Sequence, residues 1–233
     1  MIVAEQKPLA EILESLAGSE KALVLGCGTC VTVCFAGGAK EAEILAASLR
    51  MKSSLAGRAL DVRSLAVQRQ CEWEYLDVAA ESIRAADVVV SLACGVGAQA
   101  VVERFPDTRT VPGLNTRFYG LPTEHGVWEE RCAGCGECVL DFTDGICPIA
   151  RCSKSLLNGP CGGSHDGKCE VNEAVECAWQ LIYDRMKKLG HLERLLETRP
   201  PKDWRTSRDG GPRRVTREDL KLVQHPEEQP GHS

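Results

Sequence analysis

The chain has 233 residues, 43% of them apolar, and a formal net charge of −5 at pH 7. This is enough for one domain of ordinary size and a smaller companion, while the negative charge argues against non-specific binding to nucleic acid, which draws on a basic surface. No stretch reaches the roughly 20 apolar residues of a membrane span, so we expect no membrane partner.

The first residues, Met1–Gly18, are predicted to form a short amphipathic helix. Four apolar residues share one helical face there: Leu9, Ile12, Leu13 and Leu16. The segment lacks the unbroken apolar region of a secretion signal, so we expect the chain to be cytoplasmic. Disulfides need an oxidising compartment, and the thirteen cysteines therefore indicate metal binding.

The first half of the chain alternates between apolar strands and helices. The predicted strands are Ala22–Leu25, Ala59–Val62, Asp87–Leu92 and Thr108–Val111. The predicted helices are Lys40–Arg50, Leu76–Ala85 and a third that ends near Phe105. This rhythm predicts an α/β domain over residues 1–122, with a parallel sheet flanked by helices.

The second half has a different character. Residues 123–177 hold eight cysteines and many glycines but no sustained apolar period, so we expect metal to supply much of the folding energy. A helix over Glu176–Thr198 closes this cysteine-rich module, which spans residues 123–198. Residues 199–233 are predicted to be a flexible tail. The alternative is an arm that folds on a partner, with Trp204 as an anchor.

Three cysteines of the first half fall at or just after predicted strand ends: Cys27, Cys71 and Cys94. In open parallel sheets, ligands bind at the carboxyl ends of the strands. Cys30 would add a fourth thiolate, which completes the set that a [4Fe–4S] cluster takes, and the amides of Gly26–Cys30 could donate to its sulfides. Small buried cysteines are the alternative, and whether Cys34 is a ligand stays open.

The triplet Cys132, Cys135 and Cys138 has the spacing that wraps one cubane cluster in bacterial ferredoxins. Those proteins place a remote cysteine before a proline, as Cys147-Pro148 does here, although after a longer interval. Four further cysteines complete a set of eight, which suits two four-cysteine sites: Cys152, Cys161, Cys169 and Cys177. Zinc is the alternative metal, although it usually takes two separated C-x2-C pairs.

These residues resemble a known family. The cysteine triplet, the run Gly145-Ile-Cys-Pro148, the highly specific stretch Leu156–Gly163 and Cys177-x-Trp179 resemble the methylenetetrahydrofolate reductase C-terminal-type domain. Ser153 stands where many relatives would carry proline. The first half is similar to the small MetV-type subunit of that enzyme, through three runs: Arg69-Gln-Cys71, Ala93-Cys-Gly-Val-Gly97 and Pro112-Gly-Leu-Asn-Thr116.

The resemblance implies an electron-transfer subunit with two to three [4Fe–4S] clusters. Such subunits pair with a flavin-bearing catalytic subunit that reduces methylenetetrahydrofolate in one-carbon metabolism, and further electron-transfer subunits are a second class of partner. By itself the chain would not be catalytic. The alternative is a zinc-binding scaffold subunit of the same complex that transfers no electrons.

Overall fold

A computed structural model describes residues 1–221, and the end of the predicted flexible tail, residues 222–233, lies outside the described residues. Its strands, in chain order, are β1 Ile2–Gln6, β2 Lys21–Cys27, β3 Asp61–Val67, β4 Val88–Leu92, β5 Arg109–Pro112, β6 Leu114–Glu124 and β7 Val127–Cys132. Its α-helices are α1 Leu9–Ser15, α2 Cys30–Val33, α3 Ala39–Leu55, α4 Trp73–Asp77, α5 Ala80–Arg84, α6 Gly95–Arg104, α7 Pro148–Arg151 and α8 Ala178–Leu189.

The predicted parallel sheet is confirmed, with the strand order β3-β2-β4-β5. Helices α1 and α3 pack on one face of this sheet, and α4, α5 and α6 pack on the other. Because both faces are covered, the central strands β2 and β4 are apolar almost throughout and buried over Ala22–Cys27 and Val88–Leu92. This is the main core of the protein.

Strand β3 lies at one edge of this sheet and is less apolar than the central strands β2 and β4. The predicted strand Ala59–Val62 overlaps only its start, since β3 lies at the sheet edge and exposes Arg63, Ser64 and Leu65. The predicted helix Leu76–Ala85 is divided into α4 and α5 around Val78 and Ala79.

A second sheet, antiparallel and ordered β1-β6-β7, was not predicted. The prediction of a helix from the first residue is wrong for Ile2–Gln6, which pairs with Leu114–Tyr119 more than 100 residues later, and only α1 has the expected helical form. This pairing forms a ladder of main-chain hydrogen bonds, which the spacing of apolar residues within one segment cannot predict. Strand β6 runs through the predicted domain boundary after residue 122, and β7 delivers the chain to Cys132.

The cysteine-dense segment, residues 133–177, has little regular structure. It contains the short helix α7, a 3-10 turn at Asp141–Thr143 and two isolated bridges around Lys168. Its apolar support comes from α8, through Trp179, Ile182 and Met186. The metal-stabilised module that was predicted here stays a prediction.

Helix α8 ends earlier than predicted. Gly190, at φ +77°, terminates it in the left-handed conformation that glycine adopts most easily, and a 3-10 turn at Leu192–Leu196 follows. None of the helices in residues 1–221 is long and apolar enough to cross a membrane.

Candidate functional site

The parallel sheet brings three predicted ligands of the first half to one edge. Cys27 closes β2, Cys71 follows β3, and Cys94 caps the start of α6 after β4. These strands are neighbours, so their carboxyl ends meet at the same edge. Partial burial raises the pKa of the Cys71 thiol, and the nearby thiols of Cys27 and Cys94 raise it further. The structure therefore places these three cysteines at the same edge of the sheet.

This edge is also where the direction of the sheet connections changes. The chain leaves β2 through α3 on one face and leaves β4 through α6 on the other. Such a switch point opens a crevice between two loops, where α/β proteins commonly bind ligands. Cys30, the remaining predicted ligand of this set, begins α2 directly after the loop that follows β2 and is half-buried.

Polar residues that the sequence analysis passed over hold these loops in place. Gln70, fully buried beside Cys71, donates to the Leu25 carbonyl at 2.7 Å and accepts from the Ser91 hydroxyl at 2.6 Å. Thr116 of β6 accepts from the Gly95 amide at 2.9 Å, next to Cys94. The antiparallel sheet therefore helps to position the crevice. The sequence carries no signal that could have identified Gln70, because only the tertiary structure buries this polar side chain.

Two amides that were expected to be available to cluster sulfides are already bonded. The Cys27 amide donates to the Gly37 carbonyl at 2.8 Å, and the Gly28 amide donates to Val67 at 2.9 Å. Only later amides of this loop remain open to a ligand. Cys34 is 8% exposed and its thiol donates to the Ala4 and Val31 carbonyls, so its contacts are those of a small packing residue. Burial raises its pKa.

In the second half, four cysteines line one small cavity: Cys152, Cys161, Cys169 and Cys177. Main-chain hydrogen bonds join two parts of its wall, from the Cys169 amide to Val175 at 2.9 Å and from the Cys177 amide to Gly167 at 2.7 Å. Sequence spacing did not distinguish this set of four from other partitions of the eight cysteines.

At this cavity, the surroundings of Cys169 favour the thiolate form of its side chain. A hydrogen bond of 3.3 Å between Ser153 Oγ and Cys169 Sγ is the main cause that lowers the pKa of Cys169. Lys154 pairs with Glu170 and lowers its pKa, and the adjacent Cys161 thiol adds to that effect. Thiolate is the form of cysteine that binds metal.

The other four cysteines lie before this cavity in the chain. Cys132 ends β7, and Cys135 and Cys138 lie on the loop that follows. Cys147 caps α7, where its sulfur accepts from the Ala150 amide at 3.4 Å. Pro148 can begin that helix without the loss of a hydrogen bond, because the amide hydrogens of the first helical residues have no partner within the helix.

The C-terminal segment folds back over the cysteine triplet. Lys202, with a side chain only 2% exposed, donates to the Glu137 carbonyl at 3.1 Å. The Thr206 hydroxyl donates to the Cys135 carbonyl at 2.9 Å, and Arg213 donates to Gly134 at 2.7 Å. These hydrogen bonds join part of the predicted tail to the triplet loop, whose carbonyls act as acceptors, and the flexibility of the tail stays a prediction. We call Lys202–Arg213 the clasp.

Within residues 1–221, no three or more His, Cys, Asp or Glu side chains form a group that could hold a single metal ion as they stand. The donor chemistry nevertheless suits a thiolate-bound group, since three cysteines lie at one edge of the sheet and four line one cavity. The assignment of all twelve candidate cysteines as ligands stays a prediction.

Residues 111–205 match the family model described as methylene-tetrahydrofolate reductase C terminal. The match covers less than half of the chain. It includes β6, β7 and the eight cysteines from Cys132 to Cys177, and leaves the crevice cysteines outside. No curated protein and no solved structure matches the chain. The family match suggests a link to folate one-carbon metabolism and is consistent with membership of an oxidoreductase complex.

Proposed function

Residues 111–205 carry a domain of the methylene-tetrahydrofolate reductase C-terminal family, and from this premise we propose that the chain is the iron–sulfur electron-transfer subunit of such a reductase. It corresponds to the small MetV-type subunit, and its partner is a flavin-bearing catalytic subunit. The chain holds two to three [4Fe–4S] clusters, which transfer single electrons, and the folate chemistry takes place on the partner.

The observation that carries this proposal is the position of Cys27, Cys71 and Cys94 at the carboxyl ends of three neighbouring strands. These cysteines are far apart in sequence, and the hydrogen bonds of Gln70 join β2 and β4 to the residue that precedes Cys71. Packing alone would not require cysteine at three neighbouring strand ends. Cys30 is the fourth ligand of this set.

The second half provides the remaining sites. Cys132, Cys135, Cys138 and Cys147 form one set, and the four cysteines around the small cavity form the other. The clasp places the Lys202 ammonium beside the triplet loop. A buried positive charge near a thiolate-bound group favours its more negative, reduced state, which raises the reduction potential.

A zinc scaffold is the second candidate for the small cavity. Its volume of about 20 Å³ is close to the size of one water molecule, which suits a single ion better than a cubane. Zinc there would stabilise the irregular backbone without electron transfer. The crevice set and the triplet set would still supply two clusters.

Metal analysis after anaerobic purification tests the proposal. We expect about eight or more iron atoms per chain with equivalent sulfide, and either further iron or one zinc ion at the small cavity. In the Cys94→Ser variant, about four of these iron atoms should be lost. The control is Cys34→Ala, which removes a buried thiol that lies outside the ligand set and should retain all the iron.

Three results would contradict the proposal. A chain that contains zinc alone, with no visible absorption, leaves only the scaffold function. Full iron content in Cys94→Ser would remove the crevice set. Failure of the iron-loaded chain to co-purify with a flavoprotein would remove the proposed partner.

A further inference from the structure

We propose that a second cavity, beside the small cysteine cavity, binds a small planar aromatic ligand that carries an acid group. This cavity lies between α8, the loop Leu157–Pro160 and the chain that follows α8. Its volume of about 480 Å³ falls within the range of small-molecule sites, roughly 300–1,000 Å³. The proposal does not depend on which metal the cysteines hold.

The walls of this aromatic cavity suit a flat ring. Phe142, Trp179 and Tyr183 contribute aromatic surface from two elements. Trp179 is 4% exposed and forms the floor, whereas Tyr183 is 42% exposed and lies at the rim. A planar ligand can pack against such rings by stacking or by edge contacts, which add to the gain from apolar burial.

An arginine at the cavity provides the complement for an acid group. The Arg199 guanidinium lies over the Phe142 ring, with Cζ 5.0 Å from the ring centre. Its Nε is buried and has no hydrogen-bond partner among residues 1–221, while the pairing of Nη2 with Glu197 is long, at 3.5 Å. A carboxylate or phosphate in the cavity could pair with the terminal Nη atoms of this guanidinium in place of the long contact to Glu197.

The neighbouring Arg194 does not compete for this role. It pairs with Asp144 at 3.1 Å, and Asp144 also contacts His191. Arg194 is therefore held by two carboxylates, Asp141 and Asp144. By contrast, Arg199 has only the longer contact with Glu197 and is the arginine that can exchange its partner for a ligand.

The cavity is formed in advance of any ligand. The Asn158 side chain accepts from the Arg199 amide at 2.7 Å and donates to the Arg199 carbonyl at 3.0 Å. The Trp179 indole donates to the Leu156 carbonyl at 3.0 Å. These bonds fix the cavity wall and aim Arg199, which reduces the entropy lost on binding. In the stretch Leu156–Gly163, metal binding would account for Cys161 alone. The cavity adds a role for three other residues of this stretch, Leu157, Asn158 and Pro160.

Calorimetry on the full chain, purified anaerobically with its metals, tests the proposal with matched probes. FMN and riboflavin share one ring system, but only FMN carries a phosphate, and folic acid offers carboxylates on a different ring system. We expect saturable binding of FMN or folic acid, and FMN should bind about tenfold more tightly than riboflavin.

Two variants locate the site. In Arg199→Gln, the advantage of FMN over riboflavin should disappear. Tyr183→Leu keeps an apolar side chain but removes the ring, so it should weaken every probe that binds by several-fold. The control Arg84→Gln removes another arginine that lies over a phenylalanine, Phe105, on the parallel-sheet domain, and should change no affinity. Circular dichroism of each variant verifies folding.

The proposal is overturned if neither FMN nor folic acid binds at about 1 mM, the weak end of measurable affinity. It is also overturned if riboflavin binds as tightly as FMN, or if folded Arg199→Gln and Tyr183→Leu retain wild-type affinities.

Discussion

Residues 1–112 and residues 133–177 of this chain fold in different ways. The first region buries apolar side chains on both faces of its parallel sheet, with Leu25 and Val88–Val90 fully enclosed. The second has seven cysteines on or beside irregular backbone and depends for its apolar support on α8. The comparison teaches that one chain can combine a region stabilised by the hydrophobic effect with one that requires additional stabilisation.

The irregular region also uses backbone that other residues avoid. Gly136, at φ +83°, lies so close to the main chain of Thr206 that an added Cβ would collide with it. Such a loop loses much conformational entropy on folding and gains little apolar burial in return. Bound metal and the clasp are the sources of stability that we expect to offset this cost.

Metal removal should produce the largest difference between the two regions. If thiolate-bound groups stabilise residues 133–177, an anaerobic chelator should unfold this region and leave β2 and β4 intact. Structural metal in small cysteine sites contributes on the order of 10 kcal/mol. Hydrogen exchange read by mass spectrometry should show fast exchange over 133–177 and slow exchange in the central strands. Equal protection with and without metal would mean that the region folds by other means.

A substitution in the apolar core should lower the stability of the parallel-sheet domain. Leu25 is fully buried between β3, β4 and α4–α6, so Leu25→Ala should lower the free energy of unfolding of the parallel-sheet domain by about 2–5 kcal/mol. Urea denaturation followed by circular dichroism measures this loss. Leu55→Ala, at a site 77% exposed, should change stability by less than about 0.5 kcal/mol. A similar small effect for Leu25→Ala would contradict the proposed source of stability.

The clasp should give the smallest effect. Lys202→Met keeps the apolar stem but removes the ammonium that donates to Glu137 and Thr206, so we expect a local loss of about 1–2 kcal/mol. Limited trypsin digestion should then cut faster at Arg205 and Arg208. Lys221→Met, which removes an exposed partner of Glu218, is the control and should not change this rate. Unchanged cleavage in Lys202→Met would show that the clasp is held by other contacts.

The local pattern of apolar residues was sufficient to predict the elements that pack in the parallel-sheet domain. Strands β2, β4 and β5 and helices α3 and α6 follow from apolar runs or apolar spacing within the element itself. The antiparallel sheet was missed because β6 and β7 expose most of their residues, and because β1 gains its hydrogen bonds from residues 114–119. Residues that act through contacts across the sheet, such as Gln70 and Thr116, carry no local signal either.

The features of the candidate site likewise fall into those that the sequence predicted and those that only the fold determined. The amino-acid sequence by itself determined the number of thiols, their placement at strand ends and in a dense second segment, and the motifs that the family match supports. Only the tertiary structure decided which cysteines lie at one edge of the sheet, that four cysteines share one cavity, and that the clasp contacts the triplet loop. The physical reason is that periodicity records the surroundings of one element, whereas convergence of distant residues is set by strand order, crossover direction and long-range hydrogen bonds.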